Sequence, residues 1–170
     1  MLIKNIKFIL IILLLYQSPL YSKSISFSDF DSQNLSRYFS GIIAFENKNN
    51  SDALNFFNSS KILLDQHDPY LERYISSLVL EKKISQAINI LKKYKDKSSS
   101  KFFEAYLLLI VDNLKKKDFD QAQSNLLLAI DLAKQDRFNL AIVESLKQYI
   151  FVFKEKKFLN NKKNFGNLSI

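Results

Sequence analysis

Apolar residues recur at helical spacing through most of the chain, in blocks separated by short polar joints rich in lysine and asparagine. Three of these joints look alike. "NKNNSDALNFFNSSKIL" leads to Ala53, "LEKKISQAINILKKY" to Ala87 and "KKKDFDQAQSNLLLAI" to Ala122. The alanines are 34 and 35 residues apart, a period that predicts stacked helical repeats. After each alanine a large apolar residue follows four positions on: Ala53–Phe57, Ala87–Leu91 and Ala122–Leu126. That spacing sets both on one helix face, where the small residue lets two helices approach and the large one fills the space beside it.

Start and stop signals divide the blocks into pairs. The first pair is predicted at Asn34–Asn47 and Asp52–Leu64, with Ser51 as N-cap. The second opens at "HDPYLERYISSLVLEKK", where Asp68 is the expected cap and Pro69 takes the first helical position. "SQAINILKKY" is its partner. "SSSKFFEAYLLLIVDNLKKK" and "DFDQAQSNLLLAIDLAKQ" form the third pair, with Asp118 as cap. A last helix, about Asp136 to Lys156, carries Leu140, Val143, Leu146, Ile150 and Phe153 along one face. Tyr149 to Phe153 is a continuous apolar run, a poor end for a helical stack, which normally closes with a polar face. "YLLLIVDNL", Tyr106 to Leu114, is apolar almost all round and must be covered on more than one side. Residues 157–170 show no periodicity and read as a flexible tail. Two glycines and two prolines in 170 residues suit long helices and exclude a turn-rich β fold.

On these residues the chain resembles a tetratricopeptide repeat protein. Gly41 fits that family's helix-A glycine, and Ala53 and Phe57 fit its helix-B positions. Ala87 and Leu91 match in the second repeat; Ala122, Leu126 and Ala129 match in the third. There is no tryptophan, Ser40 and Ala44 replace the usual leucine and tyrosine, and Ile75 and Ile110 stand in later glycine slots, where helix packing is expected to be looser. The resemblance implies an all-α, right-handed superhelical stack of antiparallel helix pairs. Its repeats fall at 34–67, 68–102 and 103–136, with a partial fourth at 137–156. It also implies a concave groove lined by the first helix of each pair. Those positions are Tyr38, Ile42 and Phe45 in the first repeat, Arg73, Ser76 and Val79 in the second, and Leu107, Val111 and Leu114 in the third. The groove would take a protein or peptide partner and needs no cofactor. An exported leader followed by repeats and an unfinished fourth unit also resembles the N-terminal part of longer exported repeat proteins. A structural element that packs on its own copies, or a fragment of such a protein, is the alternative reading.

Candidate chemistry is sparse. His67 is the one histidine and reads as an exposed turn residue. The Asp29/Asp31 and Asp118/Asp120 pairs are spaced so that they do not face each other on a helix. Gly41 and Gly166 make no phosphate-cradling loop, and the absence of cysteine excludes thiolate metal sites and disulfides. No Ser-His-Asp, Cys-His or zinc arrangement is present, so the expectation is a non-enzyme without metal.

The N-terminus reads as an address. Lys4 and Lys7 precede the apolar run Phe8 to Tyr16, and Gln17, Ser18 and Pro19 end it. Nine helical residues rise roughly 13 Å, under half of a ~30 Å hydrocarbon core. Small residues at Ser22 and Ser24 supply cleavage sites, so 1–24 is read as a secretory signal peptide and 25–33 as a polar leader carrying Phe27 and Phe30. The mature chain is then an exported bacterial protein, periplasmic or secreted, with no stable membrane span and an envelope protein as its expected partner. Removing Lys4, Lys7 and Lys23 leaves 22 basic against 17 acidic residues, a net of +5 in place of +8. Only Arg37, Arg73 and Arg137 are arginines, and the lysines cluster at helix ends, where they complement the helix dipole, so nucleic acid is not an expected partner. Intact-mass measurement of exported protein is expected to show a chain beginning after Ser22 or Ser24; a species retaining Met1 would instead mark an uncleaved anchor.

Overall fold

The computed structural model describes residues 31–65 and 67–156, together with the backbone of 164–165 and 168–169. Its body is all-α. The helices are α1 Ser32–Glu46, α2 Asn50–Ser59, α3 Asp68–Leu80, α4 Ile84–Lys93, α5 Phe103–Lys115, α6 Phe119–Ala133 and α7 Arg137–Glu155. Short 3-10 turns at Lys61–Asp65 and Ser98–Ser100 precede α3 and α5. In the segment read as a tail, the two-residue strands β1 Asn164–Phe165 and β2 Leu168–Ser169 pair antiparallel. The segment read as a signal peptide and residues 25–30 of the expected leader lie outside the described residues. All described residues except Asp31 and Ser32 belong to one unit, Gln33–Ile170.

The three polar joints close with the same hydrogen bonds. Each is three residues long, 47–49, 81–83 and 116–118. In the first, the Lys48 N–H donates to Phe45 O at 2.9 Å and the Asn49 N–H to Ala44 O at 2.9 Å. Lys82 and Lys83 repeat this to Val79 O at 2.9 Å and Leu78 O at 2.8 Å. Lys117 and Asp118 repeat it to Leu114 O at 3.0 Å and Asn113 O at 2.9 Å. This is a Schellman closure, which satisfies carbonyls that a helix end otherwise orphans. It requires a left-handed residue at the bend, and in all three joints that residue is a lysine: Lys48 at φ 61°, Lys82 at 59° and Lys117 at 60°.

The residue after the bend ends one helix and begins the next. Asn49 accepts from the Asp52 N–H at 3.4 Å and Asp118 from the Gln121 N–H at 3.1 Å, whereas Lys83 caps α4 without a side-chain bond. Ser51 is therefore not the cap of α2, because the closure places Asn49 at that turn. Asp68 is not the cap of α3 either: His67 holds the extended cap position, and Asp68 and Pro69 occupy the first turn. The second helix of the first pair also stops earlier than expected. The hydroxyls of Ser59 and Ser60 each donate to Phe56 O at 2.9 Å, and the chain then tightens into the 3-10 turn that buries Leu63 and Leu64.

Successive helices run antiparallel, since residues equally distant from a joint meet across it. Gly41 faces Phe57 across the first joint, and Phe119 stacks on Phe153 between α6 and α7 at 6.5 Å. The alanines that permit close approach are fully enclosed: Ala53, Ala87, Ala122 and Ala129 are each 0% exposed. Phe57, Leu91 and Leu126 beside them are buried as well. A methyl group at Gly41 would stand 2.8 Å from the Phe57 ring, so only glycine fits there with the ring in place. Ile75 and Ile110, in the later glycine slots, are buried side chains that fill the helix contact.

Two cores result. Helices α1 to α4 enclose the first, with Ala105 of α5 added; the second is built from α5, α6 and α7. Helix α5 divides them: Ala105, Leu108 and Leu109 turn to the first, while Phe103, Ile110 and Leu114 turn to the second. That division is why its sequence is apolar all round. In α7, Val143 and Ile150 are buried as the periodicity predicts, but Phe153 at the end of that face is 53% exposed.

The left-handed lysines carry a cost of about 1–2 kcal/mol each relative to a glycine backbone, partly offset by the ~0.5–1 kcal/mol of chain entropy that glycine would lose on folding. Lys82→Gly and Lys117→Gly are each expected to raise stability by roughly 0.5–1 kcal/mol. Equilibrium urea unfolding measures this.

Candidate functional site

Two clefts run between the first helices of successive pairs. Phe45, Pro69, Glu72, Arg73 and Ser76 enclose about 210 Å³ between α1 and α3. Ile75, Ser76, Val79, Leu80, Glu104, Leu107 and Leu108 enclose about 330 Å³ between α3 and α5. Ser76 of α3 lines both, so the two clefts adjoin there. The α3–α5 cleft is apolar: Val79, Leu107 and Leu108 are half-buried, and Leu80 is 52% exposed.

Five of the nine positions expected to line a groove do so: Phe45, Arg73, Ser76, Val79 and Leu107. The other four lie elsewhere. Tyr38 is buried at 3% exposure, because its ring stacks on Tyr70 at 5.3 Å and packs beside Phe57 at 6.0 Å. Ile42 leans on the first core and Leu114 on the second. Val111 is 57% exposed but one turn beyond the cleft. All nine lie on α1, α3 or α5, yet one helix face spans both a core edge and a cleft edge, and packing decides which. Leu80, Leu108, Glu72 and Glu104 line the clefts and were not anticipated. Leu80 could have been found as the last apolar residue before the second joint, and Leu108 as the neighbour of Leu107 on an all-apolar helix.

The geometry of the groove depends on how α1, α3 and α5 are held. Arg73 donates to Glu46 at 3.2 Å, tying α3 to the end of α1. Tyr70 packs edge-on against Phe57 at 5.7 Å, donates to Phe57 O, and lies 3.2 Å from the Ser60 hydroxyl. Burial pushes its phenol well above the ordinary range. His67 is half-buried, against the expectation of an exposed turn residue. Its Nε2 lies 3.2 Å from the Tyr38 hydroxyl, and its ring meets Tyr38 edge-on at 5.0 Å. It is used in packing the turn before α3. Asp112 anchors α5: its carboxylate accepts from Lys116 at 2.7 Å and from Lys92 of α4 at 2.6 Å, with only 11% of the side chain exposed. The hydrogen bonds from Lys116 and Lys92 hold its carboxyl below the usual aspartate value.

A third cleft, about 310 Å³, lies between α6 and α7 and includes Leu126, Leu127, Ile130, Ile150 and Phe151, with Lys147 and Lys154 at its edge. Lys154 donates to Asp120 at 2.7 Å and binds the two helices there. Among the described residues no three His, Asp or Glu side chains converge to hold a metal, and no helix is long and apolar enough to cross a membrane. What the α3–α5 cleft can do chemically is enclose apolar side chains, with the Glu104 carboxylate at its edge.

Compared with protein-family models, curated proteins and solved structures, the chain matches none.

Because the folded pKa of Asp112 lies below its unfolded value near 3.8, the pair's contribution is complete above that value and is lost as pH falls through the folded one. Asp112→Asn is expected to cost about 1 kcal/mol at neutral pH. Denaturant titrations at pH 7 and pH 3 should show the gap between variant and wild type shrinking at the lower pH.

Proposed function

We propose that this chain is an exported helical-repeat scaffold of the tetratricopeptide type, which binds a segment of another envelope protein in the groove formed by α1, α3 and α5. The observation that carries this reading is the pair of adjoining clefts, lined by first-helix residues of all three pairs and apolar between α3 and α5. The 34- and 35-residue spacing of enclosed alanines supports the repeat assignment, as does the identical closure of the three joints. The basic, apolar and small-residue order of residues 1–24 supports export.

Self-assembly is the second reading. It is favoured by the other end of the molecule, where Leu127, Tyr149 and Phe153 are 61%, 48% and 53% exposed beside the α6–α7 cleft.

Leu107→Asp places a charge in the apolar half of the groove at a half-buried site. Peptides selected from a displayed library against the wild-type chain should bind it at least about tenfold more weakly. Far-ultraviolet dichroism checks that the helices remain. Undiminished binding to a folded Leu107→Asp chain removes the groove as the binding surface, and a mass that rises with concentration would favour the assembly reading.

A further inference from the structure

The ionisable groups that line the groove are of unequal sign, and this bears on what it takes. Arg73 is the one cation among the residues lining the two clefts, and its charge is engaged by Glu46 at 3.2 Å. Glu72 in the α1–α3 half and Glu104 in the α3–α5 half are both exposed. Neither has an ion-pair partner among the described residues. The groove thus presents two unneutralised carboxylates beside an apolar floor, on a chain whose overall charge is +8. Glu104 lies in the first turn of α5 and lines the cleft.

We propose that the groove takes an amphipathic segment of a partner protein whose apolar face is flanked by lysine or arginine, with Glu72 and Glu104 selecting for those flanks. This rests on the scaffold reading and sharpens it. The apolar side chains of the partner enter between Val79, Leu80 and Leu107, and its cations sit over the two carboxylates. An acidic segment of the same apolar content meets like charge at both places. Lys82 and Lys117, in the second and third joints, lie at the opposite ends of α3 and α5 from Glu72 and Glu104. Exposed charge pairs are individually weak, so the selection comes from their sum and declines with salt. The apolar floor supplies affinity and the carboxylates supply the choice.

The test uses two synthetic helical peptides of about 18 residues, roughly 27 Å long. They share one leucine and alanine face; one carries lysine and the other glutamate at the flanking positions. Fluorescence anisotropy at low salt should show the lysine peptide binding about fivefold or more tightly than the glutamate peptide, with the gap closing at about 0.5 M salt. Glu72→Gln with Glu104→Gln should remove the preference, and Glu72→Lys with Glu104→Lys should reverse it; both side chains are exposed, so the fold is retained. Leu107→Asp should weaken both peptides. Equal binding of the two peptides, lost in Leu107→Asp, overturns the charge selection while leaving the groove as the binding surface. Binding that ignores Leu107→Asp, or none by either peptide up to about 1 mM, overturns the groove and the selection together.

Discussion

The close seating of each second helix on the first is the constraint from which the rest of the molecule follows. Ala53, Ala87 and Ala122 have no exposed surface, and each has a large apolar residue one turn on that is also enclosed. A larger side chain at an alanine would push the pair apart, and the following Phe57, Leu91 or Leu126 would lose the surface it fills. In the first pair the requirement is met from both sides, since Gly41 gives way to the Phe57 ring. Both helices of each pair supply the cores, and the remaining edges of the first helices are left to line the clefts.

Aromatic packing binds the first pair to the second. Phe57 and Tyr38 reach Tyr70, which reaches Tyr74, with ring centroids between 5.3 and 6.0 Å apart. The hydroxyls that such rings carry inward are satisfied: Tyr70 by Phe57 O and Ser60, Tyr74 by Asn58 at 2.8 Å. Among the described residues no buried side-chain polar atom lacks a partner. A phenol left unbonded in this position would cost about 1–3 kcal/mol, so the serine at 60 matters to the junction although it lies outside any helix face.

Electrostatics refine this arrangement. The lysines that close the apolar blocks sit in helix last turns and bends, as their spacing suggests, yet two of them do more than solvate an end. Lys92 crosses from α4 to Asp112 on α5, and Lys154 crosses from α7 to Asp120 on α6. Their value is in orientation, because exposed pairs contribute only about 0–1 kcal/mol. Lys48, Lys82 and Lys117 accept backbone strain so that short joints can close, and the stability of the hairpins is lower for it.

Sequence by itself determined the helical class, the pairing of helices about three joints, and the alanines and large apolar partners that form their contacts. These are local or periodic properties: a 3.6-residue stripe, a small residue at fixed spacing, and a joint too short for anything but reversal. It also showed that α5 needed cover on more than one side. Tertiary structure alone decided how that cover is divided, with Ala105 and Leu108 turned to one core and Phe103 and Ile110 to the other. It decided that Tyr38 is core and Leu80 is groove, though both lie on first helices and either could face outward by period alone. It moved the caps to Asn49 and His67, because the side chain that meets a free N–H depends on where the preceding turn delivers it. The pairing of Asp112 with Lys92, and the lack of any such partner for Glu72 and Glu104 among the described residues, were equally illegible, since charges from different helices meet only after the cores have set the distances between them.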